Sequence, residues 1–297
     1  RMYDRFAAEA TPLTLNGLDY MQYAQHWLLD YAIPIELESD YHIIRWLQEN
    51  VAGTPVILEG RSAASEYRYN GRISINTGLP SVLGWNWHQR QQRTLSPLTQ
   101  IVEQRERNVK FVYETLDIPA AITILRHYEV EYLIVSDMER SIYAGDALAK
   151  FDMMVTLGLL DVAFEHGVGT VYHVQQDELD NFARHHNAFF DALGLDREQM
   201  MPYAASEGLL DEYTPNDVDV TDAIDVLAEY DVPFIVAHNL PQLQIFAPEV
   251  YDGLVQLERA NVLDRLSDTT SRRIYRVDDE TLSALQTDDT ETDEDTE

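Results

Sequence analysis

The chain has 297 residues, 52 acidic against 21 basic side chains and no cysteine. The formal charge of −31 excludes a phosphate-reading basic face, so nucleic acid and anionic membrane surfaces are poor partners. The missing cysteines exclude a disulfide framework, a thiolate nucleophile and a Cys-based zinc site.

Lys110 and Lys150 are the only lysines, and every other basic side chain is arginine. An acidic surface of this kind reads as adaptation to high salt, where screening relieves carboxylate repulsion. The length allows one large domain or two ordinary ones. No apolar run approaches the ~18 to 20 residues of a membrane span, so the chain is expected to be soluble. It opens at Arg1 without Met or a signal peptide, which suggests a piece of something longer.

Residues 1–50 read as mostly helical. Leu18, Tyr20, Met21, Tyr23, Ala24, Trp27, Leu28 and Leu29 lie near one stripe, followed by a break at Pro34. Asp40 is a plausible N-cap for a second helix carrying Ile43, Ile44, Trp46 and Leu47. Val56, Ile57 and Leu58 form a short β-branched run that predicts a buried strand ending at Glu59, at the sheet edge where ligands collect in open α/β folds.

The stretch from Glu59 to Arg93 is the least explained by packing. It gathers Trp85, Trp87, His88 and the arginines Arg61, Arg68, Arg72, Arg90 and Arg93 in a strongly negative chain. Such a cluster suits an anionic or polyhydroxylated ligand or an acidic partner surface. The plainer alternative is that the indoles fill the core and the arginines pair with carboxylates. Gly71, Gly78, Pro80 and Gly84 punctuate it as an ordered loop. A helix is expected from Leu98 to Tyr113.

An internal repeat follows. Residues 121–136 (AITILRHYEVEYLIVS) align with 223–238 (AIDVLAEYDVPFIVAH), and Val171-Tyr172-His173-Val174 aligns with Ile274-Tyr275-Arg276-Val277. Two copies of helix, strand, helix, strand predict an α/β fold with duplicated halves around mixed sheets. With these go an N-terminal helical segment and a disordered acidic C-terminal tail. The expected organisation is 1–177 as an α/β domain carrying the loop, 178–277 as the second half and 278–297 as the tail. Only the first copy has Glu139, Arg140 and Tyr143 after its strand, whereas Pro241 and Gln242 stand there in the second. Ligand contact is therefore assigned to the first copy. The connector 175–220 is expected to be helical around Phe182, Phe189, Phe190 and Leu193, and loop-like from Tyr213 to Asp219.

No G-x-G-x-x-G, Walker loop, G-x-S-x-G elbow or HExxH helix occurs. Adjacent His185 and His186 diverge by about 100° on a helix and are not expected to share an ion. Asp217-Val218-Asp219 resembles the D-x-D of some sugar-nucleotide transferases, but chance supplies it in so acidic a chain. No metal or cofactor is expected. Glu59 with Glu66 or Glu139 could make an acid/base pair, and a salt bridge of Glu59 or Glu139 to Arg72 or Arg140 is the alternative.

Further residues carry a resemblance. Leu58-Glu59, Tyr67, Tyr69, Gly71-Arg72-Ile73-Ser74, Thr77-Gly78-Leu79-Pro80, Leu83-Gly84-Trp85, His88, Gln91 and Arg93 resemble the C-terminal portion of the large archaeal and chloroflexus-type "YYY" membrane proteins. Tyr128, Val130, Tyr132, Glu139-Arg140, Tyr143 and Lys150-Phe151 fit as well, so the likeness covers residues 1 to about 175. The chain departs from that pattern at Gln89, Gln92 and Asn108. The membrane halves of such proteins are similar to GT-C glycosyltransferases, which use lipid-phosphate sugar donors. The resemblance implies an extracytoplasmic accessory or substrate-binding domain at the cell membrane. Its partners would be an N-terminal transmembrane half of the same protein and a glycan or polyprenyl-phosphate sugar, with the catalytic carboxylate elsewhere and this part inactive alone.

The residues expected to bind are Glu59, Tyr67, Arg72, Ser74, Thr77, Trp85, Trp87, His88, Arg93, Glu139, Arg140 and Tyr143. Arg72→Ala and Trp85→Ala are expected to weaken that binding without unfolding the chain. A structural docking domain without ligand and a free-standing high-salt hydrolase using Glu59 and Glu139 are the competing expectations.

Overall fold

The computed structural model describes residues 14–28, 31–62, 69–92, 98–195, 216–238, 240, 243–244, 247–269 and 272–292. The chain is an α/β protein built as two compact units, Arg1–Leu179 and Asp180–Glu297.

The first unit opens differently from its hydrophobic stripe. Asp19–Tyr23 is a single 3-10 turn, and β1 (Gln25–Leu28) pairs antiparallel with β2 (Ile33–Glu36). The expected helix over this stretch is replaced by a hairpin. Alternation along β1 and β2 leaves Leu28 and Ile35 inside and Trp27 half out, so the period of two wins over that of 3.6. The first helix, α1 (Glu38–Asn50), buries Ile43, Ile44 and Leu47. Asp40 lies within its first turn and is itself buried, so it is not the cap expected.

β3 (Val56–Leu58) lies parallel to β4 (Val130–Val135). Between them run α2 (Arg72–Thr77), α3 (Asn86–Gln92), α4 (Leu98–Glu114) and α5 (Ile118–His127). α5 starts cleanly because Asp117 accepts the Ala120 N–H at 2.9 Å and Pro119 occupies its first turn. After β4 come α6 (Asp137–Ile142), α7 (Gly145–Thr156), β5 (Leu160–His166), β6 (Gly169–Val174) and α8 (Gln176–Ala192). The sheet order is β3-β4-β6-β5, with only the β3–β4 pair parallel. Parallel neighbours bring the carboxyl ends of β3 and β4 side by side, which is where Glu59 and Ser136 emerge.

In the second unit, α9 (Thr221–Glu229), β7 (Phe234–His238), α10 (Pro248–Arg259), β8 (Leu263–Asp268), β9 (Arg272–Val277) and α11 (Asp279–Thr292) repeat the order α5, β4, α7, β5, β6, α8. Their sheet order, β7-β9-β8, matches β4-β6-β5. Leu133 faces Tyr172 as Ile235 faces Tyr275, and both hairpins slip register at the same step, Val162/Phe164 and Arg265/Ser267. The backbone turns left-handed at corresponding places too: Glu129 and Asp231 at φ 50°, Gly158 and Asn261 at φ 72° and 59°.

Each repeat holds one strand more than its sequence suggested, because the closing strand is the second arm of a hairpin. The acidic stretch read as a tail begins with α11. Its first turn is capped by Asp278, which accepts the Thr281 N–H at 2.8 Å, and is anchored by buried Leu282, the counterpart of buried Leu179. No helix among the described residues is long and apolar enough to cross a membrane.

Candidate functional site

Arg72, the first residue of α2, points inward over the paired strand ends. Its Nε donates to Asp40 Oδ2 at 2.7 Å, while Nη2 donates to Glu139 Oε2 and to Ser136 Oγ, each at 2.7 Å. Nη1 stands 3.6 Å from Glu59 Oε2. The four charged side chains are at most 1% exposed. Three carboxylates thus surround one guanidinium, the cation whose planar fork meets several of them at once.

Glu59 and Glu139 also hold backbone N–H groups. Glu59 accepts the N–H groups of Ile73 (2.9 Å) and Ser74 (3.2 Å), supplying from a distant strand the cap that α2 lacks locally. Gly71, at φ 73°, makes the turn that aims this helix start at Glu59. Glu139 accepts Ser136 N–H and Ser136 Oγ–H, both at 2.9 Å, and Gly60 N–H at 2.8 Å. Burial pushes the Glu59 carboxyl above its usual range even with Arg72 and two amides drawing it down. Tyr69 lies under the guanidinium at 5.6 Å, and burial, then Asp40, raises its hydroxyl pKa well above the ordinary value.

Two tyrosines brace the same edge. The Tyr143 hydroxyl accepts the Arg61 N–H and lies 3.0 Å from its carbonyl, and its ring stacks on Tyr113 at 5.0 Å. The Tyr113 hydroxyl sits between the carbonyls of Ile134 (2.7 Å) and Leu58 (3.0 Å), bridging β3 and β4. Arg61 is buried, donates to Gly84 O at 2.6 Å and lies 3.5 Å from Glu106 of α4. The segment carrying the indoles is therefore tied to the sheet from both sides.

Among its described residues, the outer surface is aromatic rather than cationic. Trp87 is 47% exposed on α3, His88 is exposed beside it, and half-buried Trp85 meets His88 edge-on at 6.3 Å. Arg90 pairs with Glu103 at 3.3 Å and Glu106 at 3.9 Å. Among the described arginines of this segment, all three face carboxylates. Tyr67, Arg68 and Arg93 lie outside the described residues.

The remaining expected residues disperse. Ser74 and Thr77 bond within α2 and its end, Ser74 Oγ to Gly71 O and Thr77 Oγ to Ile73 O. Arg140 lies apart from the cluster: it donates to Val168 O at 2.7 Å and lines a depression of about 180 Å³ with Asp152 and Tyr172. His186 contacts Val236 O at 2.9 Å while His185 stacks on Tyr230, so the two diverge as expected. Asp219 accepts the Thr221 N–H at 3.0 Å, a local cap for α9. Pro241 and Gln242 lie outside the described residues.

The structure also overturns one mutational expectation. Arg72→Ala would strand three interior carboxylates, so it cannot be expected to spare the fold.

Comparison with protein-family models, with curated proteins and with solved structures found no match to this chain. Its site therefore rests on its own geometry.

Sequence reasoning missed two members of the cluster, Asp40 and Ser136. Asp40 was legible only as a helix-start residue. Ser136 is followed three residues later by Glu139, a spacing that marks a helix start. A separate group, Glu38, His42 and His166, was also missed; its only local signal is the four-residue spacing of Glu38 and His42.

Proposed function

We propose that this chain is an extracytoplasmic accessory or substrate-binding domain of a GT-C-like membrane glycosyltransferase, contacting the sugar of a glycan or polyprenyl-phosphate-linked donor through the outer face of α3. The observation that carries this reading is Trp87, 47% exposed with His88 beside it on a segment anchored from within by Arg61 and Arg72. An indole held on a braced surface stacks on a sugar face at low entropic cost. Because Arg61, Arg72 and Arg90 already face carboxylates, the sugar ring rather than the phosphate is the moiety this surface favours. The Arg72 cluster acts by holding the segment in place.

A second reading, a docking domain that packs on the membrane half without ligand, draws on the exposure of Ile75 (56%) together with Trp87. The hydrolase reading has no such support, since Glu59 and Glu139 meet on Arg72 and are at most 1% exposed.

The test is Trp87→Ala and Trp85→Ala in high salt, assayed against immobilised oligosaccharides and polyprenyl-phosphate sugars. Loss of binding by Trp87→Ala with unchanged thermal stability supports the ligand reading. Equal binding by wild type and variant overturns it. A photocrosslinker at position 87 that captures only the membrane half selects the docking reading.

A further inference from the structure

Glu38 and His42 lie one turn apart at the start of α1 and so share a face. His166 closes β5 at the tight turn into β6. The His42 and His166 rings stand 3.7 Å apart with a tilt of 31°, and His166 Nε2 lies 3.8 Å from Glu38 Oε1. One ligand atom from each of the three lies within 4.8 Å of the others.

The backbone beneath is held firmly. Gly169, paired with His166, packs so closely on α1 that a Cβ there would come 3.0 Å from both Ser39 and Ile43. Arg140 holds the same turn through Val168 O at 2.7 Å. The hairpin tip thus has a defined seat on the first turn of α1, and the three side chains converge above it.

We propose that Glu38, His42 and His166 bind a first-row divalent transition metal of the Zn²⁺ class, clamping α1 to the β5–β6 hairpin. Two imidazoles and a carboxylate suit such ions, and three protein ligands leave a position open to water. Metal–ligand bonds of about 2.0–2.2 Å require the ligand atoms to draw closer together. Side-chain rotation supplies this, because Glu38 and His166 are 60% and 41% exposed. An acidic surface alone attracts hard cations such as Mg²⁺ through oxygen, whereas a paired imidazole distinguishes the softer ions. This site is separate from the α3 surface and does not depend on its reading.

The experiment is titration of the whole chain, without a polyhistidine tag, with Co²⁺ in high salt and excess Mg²⁺, read by the visible absorption of the bound ion. One equivalent is expected to bind. His42→Ala and His166→Ala should each weaken binding more than about tenfold, a loss that outer-shell changes alone can reach. Glu38→Gln should weaken it less, and His127→Ala, at an exposed histidine elsewhere, should leave it unchanged. Binding that Mg²⁺ abolishes, or that survives in His42→Ala, overturns the proposal. Should either variant misfold by circular dichroism, Co²⁺-induced shifts in the wild-type imidazole NMR signals replace the comparison. Shifts confined to His42 and His166 support the site, and shifts spread over all histidines overturn it.

Discussion

Arg72 Nη2 donates to Glu139 Oε2 at 2.7 Å across 67 residues of chain, and neither side chain is more than 1% exposed. A charge pair this deep gains little over an apolar pair of equal volume, but it is costly to break because the survivor stays buried. Here three carboxylates depend on the one cation.

Arg72→Met should therefore destabilise the first unit by about 3–5 kcal/mol. Urea denaturation in high salt, followed by tryptophan fluorescence, measures this. A change below about 1 kcal/mol would place the variant among ordinary substitutions and refute the clamp.

Gly60 is a second dependency of the same site. A Cβ there would lie 2.7 Å from Glu139 Cγ, 2.8 Å from Glu139 Oε1 and 2.9 Å from Tyr143 Cε2. Those atoms are the fixed centre of the network and cannot swing aside without losing the Gly60 N–H and Arg72 bonds. Gly60→Ala should cost about 1–3 kcal/mol by overpacking. An unchanged melting temperature would show that the edge is looser than this spacing demands.

His238 gives the second unit a pH dependence. Burial first, then Arg272 and His186, lowers its pKa from 6.5 to about 3. The folded ring stays neutral where the unfolded ring would take a proton, so its contribution is present above pH 6.5 and is lost as pH falls towards 3. Protection factors of the β7 amides against hydrogen exchange should fall across that window in wild type and less so in His238→Gln. Identical pH profiles for the two proteins would remove His238 as the cause.

The repeat predicts a tolerant exchange. Gly158 and Asn261 occupy equivalent left-handed positions, φ 72° and 59°, and nothing lies within 4 Å of a Cβ added at Gly158. Gly158→Asn should cost less than about 1 kcal/mol, whereas Gly158→Val should cost about 1–2 kcal/mol because the backbone sterics disfavour β-branched residues there. Equal costs would mean that packing rather than backbone conformation governs the turn.

The duplicated halves were readable from residues 121–136 and 223–238 because helix and strand propensity are local and the two copies repeat their apolar positions. The buried β3 strand and the placement of Glu59 at its carboxyl end were readable for the same reason. Trp27 and Leu28 were not, since a short apolar run fits a helical stripe and a hairpin arm equally well until Ile35 and Leu37 settle against the core. The beginning of α11 was missed because acidic composition outweighed one buried leucine, Leu282, whose partners lie far away in sequence.

What the sequence determined alone is the acidic, arginine-rich and lysine-poor chemistry, the strand-end position of Glu59 and the two-copy plan, all set by residue type and spacing. What only the tertiary structure decided is which charges meet. Asp40, Glu59, Arg72 and Glu139 come from a helix, a strand end, a loop helix and the first turn of the helix that follows β4, and folding brings them together by laying β3 parallel to β4. The same closure turned Arg61 and Arg72 inward and Arg90 onto α4 and left Trp87 outside, because a guanidinium facing carboxylates is stable in the interior and an unpaired one is not.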